Sequence, residues 1–268
     1  MSNVENAIKY FHENQMTMTE TFFDLVAIPS ISTSPEHNSD MVRSSEFLAD
    51  YFRKLDFDHI EVFETDKHPI VFAEKRTTRP GAKTLLVYGH YDVQPVDPLD
   101  EWQSDPFKPE FRGDYVYARG ASDMKGQVMA SILALESALR VGELPLNVKF
   151  LLEGEEEIGS PSLEGFIKSH KDLLSCDMIL NPDAGMVGKD QPTLVYGLRG
   201  MTYFEVRVDG PKADLHSGLW GGNVANPANV LAQIIAKLHN PDGSVAIPGF
   251  YDKIPPLSAE DKQKIAGN

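Results

Sequence analysis

The sequence predicts an α/β protein. A layered domain with a mostly parallel mixed sheet is expected over residues 1–197, and a smaller α+β domain over residues 198–268. Three observations predict this. Short apolar runs alternate with amphipathic helical stretches, the order found where crossover helices join parallel strands. Residues able to carry chemistry cluster just after those runs, where an open α/β sheet forms its crevice. The pattern changes near Gly197-Leu198-Arg199-Gly200, beyond which Met201–Val208 alternates apolar with polar residues, as a strand with one wet face does.

In chain order, the residues through Leu25 read as a helix. Ser39 is placed to cap a second helix, with Val42, Phe47, Leu48, Tyr51, Phe52 and Leu55 on one face. Ile70–Ala73 reads as a short strand, and Thr84–Tyr88 as a buried strand stopping at Gly89. A loop rich in Pro, Asp and aromatics runs from about Val93 to Gly120. A helix over Gly126–Arg140 carries Val128, Ile132, Leu135 and Leu139 on one stripe. Val148–Leu152 is a strand, Leu163–Leu174 a helix and Met178–Leu180 a short strand. Asn226 and Pro227 open a last helix, with Val230, Leu231, Ile234, Ile235 and Leu238 along it. After His239 the sequence reads as loop.

Composition narrows the function classes. The chain has 268 residues, 25 Lys+Arg against 40 Asp+Glu, and a formal charge of −15. Such an excess of carboxylates disfavours nucleic acid and anionic membranes as partners. No apolar run reaches the ~18 residues that span a bilayer. The N-terminus lacks a basic segment followed by an apolar one, so a cytoplasmic location is expected. The single cysteine, Cys176, excludes an internal disulfide framework and a cysteine-rich zinc site. The glycines near Trp220-Gly221-Gly222 lack the strand-to-helix context of a phosphate loop.

Four segments carry chemistry: Gly89-His90-Tyr91-Asp92, Ala121-Ser122-Asp123-Met124-Lys125-Gly126, Glu155-Glu156-Glu157-Ile158-Gly159 and Asn181-Pro182-Asp183-Ala184. Three follow strands and the second opens a helix, so all can reach one crevice. Taken singly, each has an ordinary explanation: a Glu run is commonly solvated surface, Asp123 is placed as a helix cap, and Asp183 suits a turn. Together, imidazole and carboxylates at one sheet edge suit a divalent metal such as zinc, manganese or cobalt. Asp92 can orient the His90 ring. Asp123 has two oxygens with which to bridge two ions. Of Glu156 and Glu157, one can ligate and the other can take a proton from the attacking water.

The segments Gly-His90-Tyr-Asp92-Val-Gln-Pro, Arg-Gly-Ala-Ser-Asp123-Met-Lys-Gly, Glu156-Glu157-Ile-Gly-Ser, Asp183 and Asp214-Leu-His216-Ser-Gly resemble the M20 metallopeptidases over about residues 10–240. That family includes carnosinase-like dipeptidases, glutamate carboxypeptidase, acetylornithine deacetylase and succinyl-diaminopimelate desuccinylase. The resemblance implies two divalent metal ions, zinc foremost. His90 and Asp183 would complete one site, Asp123 would bridge, and Glu157 would hold the second ion. Glu156 would be the general base and Asp92 would orient His90. The peptide after Asp123 would be cis. Residues 1–197 would be the catalytic domain and 198–268 a lid and dimerisation domain, whose His216 would reach the partner's active site in a homodimer and steady the oxyanion.

Family members run well beyond 268 residues, so the resemblance also implies an N-terminal portion. Its last metal-ligating His would lie in the missing part, leaving the second site incomplete and the activity of this polypeptide open. Tyr196-Gly-Leu-Arg-Gly and Asp214–Gly222 look most like the dipeptidase branch, implying dipeptide or short-peptide substrates. N-acyl amino acids remain the alternative substrates, and an inactive metal-binding homologue the alternative class.

Overall fold

A computed structural model describes residues 3–266 except 190 and 196. Contacts divide the chain into two compact units, residues 1–185 and 186–268, a division that falls after Gly185, ahead of the change of pattern near Leu198.

In the first unit, helix α1 (Asn3–Val26) leads to α2 (Asn38–Lys54), and strands β1 (His59–Phe63) and β2 (Ile70–Lys75) follow. Strand β3 (Thr84–His90) precedes a two-stranded ribbon of β4 (Glu110–Arg112) and β5 (Tyr115–Tyr117). Helix α3 (Lys125–Val141), strand β6 (Asn147–Glu153), helices α4 (Leu163–Ser169) and α5 (Lys171–Leu174), and strand β7 (Met178–Leu180) complete it. The five-stranded sheet has the order β1-β2-β6-β3-β7. β3 is parallel to both β6 and β7, whereas β2 is antiparallel to both β1 and β6. Only β2 therefore runs against the rest, and the carboxyl ends of β6, β3 and β7 share one edge.

The two-residue period of a strand sorts the core into two layers. Val71, Ala73, Val87, Phe150 and Leu152 join Leu25, Met41, Leu48, Phe52, Val128 and Ile132 from α1, α2 and α3. The alternate residues Ile70, Phe72, Leu86 and Leu151 pack with Phe166 and Leu174 from α4 and α5. The sheet is thus covered on both faces, which explains why its central strands read as continuous apolar runs.

Several sequence expectations are revised. Ser39 does not cap α2: the helix starts at Asn38 behind His37 and has no side-chain cap bond. On that helix Val42 is exposed, and Met41 is buried instead. The helix expected over Leu163–Leu174 breaks at His170. Strands β1, β4 and β5 were not expected, being short or half-exposed.

In the second unit, residues 201–208 form no strand; a strand exists only with a hydrogen-bonded neighbour, and none of the described residues supplies one. The unit holds α6 (Ser217–Trp220), α7 (Pro227–Ala236) and α8 (Ala259–Ala266). Asn226 caps α7, its side chain accepting the Ala228 N–H at 2.9 Å. Tyr196, part of the dipeptidase-like stretch, lies outside the described residues.

Candidate metal centre

His90 is the last residue of β3 and is fully buried. Gly89 before it lets α3 approach closely, since a Cβ there would meet Val128 at 2.8 Å. Around the imidazole Nε2, Asp123 Oδ1 lies at 3.2 Å, Asp183 Oδ2 at 3.7 Å and Glu156 Oε2 at 3.9 Å. Donor atoms of His90, Asp123 and Asp183 all lie within 4.8 Å of one another. Each arrives by a short path: Asp123 stands just before α3, Asp183 three residues after β7, and Glu156 opens a single 3-10 turn after β6. The Asp123–Met124 peptide is cis, as the resemblance implies, and so is Asp97–Pro98.

The other ring nitrogen, Nδ1, sits 3.1 Å from the Asp92 backbone carbonyl and 3.3 Å from its Oδ1. The buried Asp92 carboxylate also accepts the backbone N–H groups of Glu156 and Glu157, at 3.3 and 3.0 Å. One side chain therefore orients the imidazole and holds the Glu turn beside it.

Glu157 lies outside the three-residue cluster. Its Oε2 accepts the Gln94 amide at 2.7 Å. Gln94 is a site-lining residue that sequence reasoning did not single out, although it stands within the quoted His90 segment. Glu155 is a different kind of residue from its neighbours. It is 1% exposed and accepts from Thr65 Oγ1, the His68 N–H and both the N–H and hydroxyl of Ser162. Burial alone would raise its pKa, but these bonds outweigh burial and hold it below the usual carboxylate range.

Glu156, Glu157 and Asp183 are pushed the other way. Burial raises Glu156, helped by Asp183, Asp92 and Asp123 and opposed by His90. Burial raises Glu157, with Asp123 adding to it and the Gln94 bond opposing. Burial raises Asp183, with Asp123 adding and His90 opposing. Burial would lower the His90 imidazole, yet Asp92, Glu156 and Asp183 push it up to about 9. These shifts describe crowded negative charge that a divalent cation would relieve. One imidazole nitrogen and two carboxylate oxygens fit zinc, and equally manganese or cobalt.

His216 lies in the second unit, exposed, as the N-cap of α6. Its Nδ1 accepts the Gly218 N–H at 3.0 Å. An accepting Nδ1 carries no proton, so Nε2 is the ring's donor.

Residues 86–261 match peptidase family M20/M25/M40. A Cys-Gly metallodipeptidase of Candida albicans is 34% identical over 89% of this chain and 52% of its own length. The human Beta-Ala-His dipeptidase is 33% identical over 96% of this chain and 54% of its own length. The crystal structure of human carnosine dipeptidase 1 superposes with a TM-score of 0.78 at 31% identity, covering 100% of this chain and 59% of that one. The chain therefore spans about half the length of the curated relatives it matches. The family match and these relatives agree with the resemblance carried by the His90, Asp123, Glu156 and Asp183 segments: the chain belongs to peptidase family M20/M25/M40.

Proposed function

We propose that this chain supplies the metal-binding part of a dipeptidase that hydrolyses the amide bond of dipeptides or short peptides. The observation that carries the reading is the convergence of His90, Asp123 and Asp183 within 4.8 Å, with Glu156 beside the same imidazole nitrogen. His90, Asp123 and Asp183 would hold a divalent ion there, zinc by preference, and Glu157 would contribute to a second. Bound there, such ions supply Lewis acidity toward the scissile carbonyl and lower the pKa of a water. Glu156 takes the proton of the attacking water at its carboxylate and delivers it to the leaving amine. Its raised pKa supports this, because a base works best when its pKa approaches the working pH. Asp92 keeps the His90 ring and the Glu156 turn in register.

The reading extends to a homodimer in which residues 198–268 form a lid and His216 Nε2–H donates to the oxyanion in the partner's site. The exposed ring and its fixed tautomer support that role. We place the protein in the cytoplasm, in keeping with its single cysteine. Among the described residues, no helix is long and apolar enough to cross a membrane.

The test is a panel assay. A polypeptide carrying the second half found in the relatives is incubated with zinc or manganese, and with dipeptides including Cys-Gly and β-Ala-His alongside N-acyl amino acids. Metal-dependent dipeptide cleavage is expected. Faster turnover of the N-acyl amino acids would overturn the dipeptidase reading in favour of a deacylase, and turnover of neither would overturn both.

A further inference from the structure

Lys125, the first residue of α3, is 0% exposed and among the largest fully buried side chains. Its Nζ donates to the Leu25 carbonyl at 3.1 Å and to the Ile28 carbonyl at 2.6 Å. Its nearest charges, Asp92 and Asp40, act across space rather than through a hydrogen bond. Leu25 lies in the last turn of α1 and Ile28 two residues past its end, so both bonds go to the backbone where the helix stops, sharing carbonyls that also accept the Ile28 and Ser30 N–H groups. A long polar side chain sealed in a core is costly and is retained where its hydrogen bonds do something apolar packing cannot.

What those bonds hold is the loop carrying Asp123. Gly126 N–H donates to the Gly120 carbonyl at 3.3 Å, and a Cβ at Gly126 would meet the Ala121 carbonyl oxygen at 2.1 Å. Residues 120–126 therefore fold tightly back on themselves, with Asp123 at the exposed tip. Two buried side chains stand directly behind that tip. Met124 is 0% exposed, and its sulfur receives the His90 backbone N–H at 3.2 Å. Lys125 reaches the opposite way, to α1. Among the described residues, the Asp123 carboxylate is hydrogen-bonded only to the His90 ring, so its position depends on how the base of its loop is anchored.

We propose that Lys125 is a positioning residue of the metal centre, fixing the Asp123 carboxylate by pinning the start of α3 to backbone carbonyls at and just beyond the end of α1. This rests on the reading of His90, Asp123 and Asp183 as metal ligands. Groups behind a ligand set its orientation, and their loss typically weakens metal binding about 10–100-fold.

The test compares wild-type chain with Lys125→Met, which fills similar volume without the two donors. Circular dichroism selects a temperature at which both are folded. Zinc affinity is then measured by competition with a chromophoric chelator, and the visible spectrum of the cobalt(II)-loaded chain reports donor geometry. The expected result is a zinc dissociation constant raised about 10–100-fold, together with a changed cobalt spectrum. A folded variant with wild-type zinc affinity or a wild-type cobalt spectrum would overturn the proposal. If Lys125→Met does not fold, Lys125→Leu, which likewise lacks the donors, takes its place under the same criteria. Failure of both to fold would also overturn it, making Lys125 a requirement of the core rather than of the site. A wild-type chain that holds no zinc would sink the metal reading itself, and this inference with it.

Discussion

The carboxylate of Asp92 accepts the backbone N–H of Glu157 at 3.0 Å while its other oxygen, 3.3 Å from His90 Nδ1, also takes the Glu156 N–H. A single buried side chain thus couples the end of β3 to the turn after β6. Removing it should disturb the proposed ligand His90 and the proposed base Glu156 together. Asp92→Ala is expected to weaken zinc binding about 10–100-fold, the scale for losing a group that orients a metal-bound His. Chelator competition measures it, and wild-type affinity would refute the coupling.

Glu156 stands 3.9 Å from the His90 nitrogen that faces the cluster, but outside the three-residue group of His90, Asp123 and Asp183. In a polypeptide with the relatives' second half, Glu156→Gln should leave metal content near wild type. Turnover should drop by roughly 10²–10⁴, as for a lost general base. Near-normal turnover would remove Glu156 from that role.

Glu155 anchors the same turn from below. Glu155→Ala should destabilise the fold by about 3 kcal/mol or more, since hydrogen bonds to a charged group contribute about 1.5–3 each and four donors, the buried His68 N–H among them, would lose their acceptor. The pH dependence has a definite sign. The folded-state pKa is depressed, so the stabilisation is fully present above the unfolded value of about 4.3 and is lost as pH falls through the folded value. Denaturant unfolding from pH 7 down to pH 3 should show a shallower acid limb in Glu155→Gln than in wild type. Identical limbs would mean Glu155 does not titrate with folding.

If His216 donates across a dimer interface, two inactive variants should complement. His216→Ala and Glu156→Gln, each carrying the relatives' second half, would regain part of wild-type activity after subunit exchange. Loss of one oxyanion donor costs about 2.7–4 kcal/mol of transition-state stabilisation, so the rescued signal stands well above either parent. No rescue after verified exchange would place His216 within its own chain or outside the reaction.

The sequence made the sheet's core legible because β2, β3 and β6, its central strands, are largely buried and read as apolar runs. Three of the four candidate site segments were legible because they lie where apolar runs end, and the fourth, with Asp123, because it opens α3. Strand β1 was missed because its residues are only half-buried and lack a clean period. The strand expected at 201–208 failed because alternation specifies a face, not a partner, and pairing is a property of the neighbour. The double duty of Asp92 and the buried reach of Lys125 to α1 were also hidden. Asp92 and Glu157 are 65 positions apart, and Lys125 and Leu25 are 100 apart. Contacts at such range follow from topology rather than from local pattern.

Zinc titration of the 268-residue chain reads out whether His90, Asp123 and Asp183 together hold a divalent ion. Three protein ligands with an open position are a complete set for one catalytic-type zinc, whereas Asp123 and Glu157 alone are not. After exhaustive dialysis and titration against a chromophoric chelator, the wild-type chain should retain about one tightly held zinc, and Asp183→Ala should lose it. Two equally tight ions per chain, or unchanged affinity in Asp183→Ala, would contradict the account.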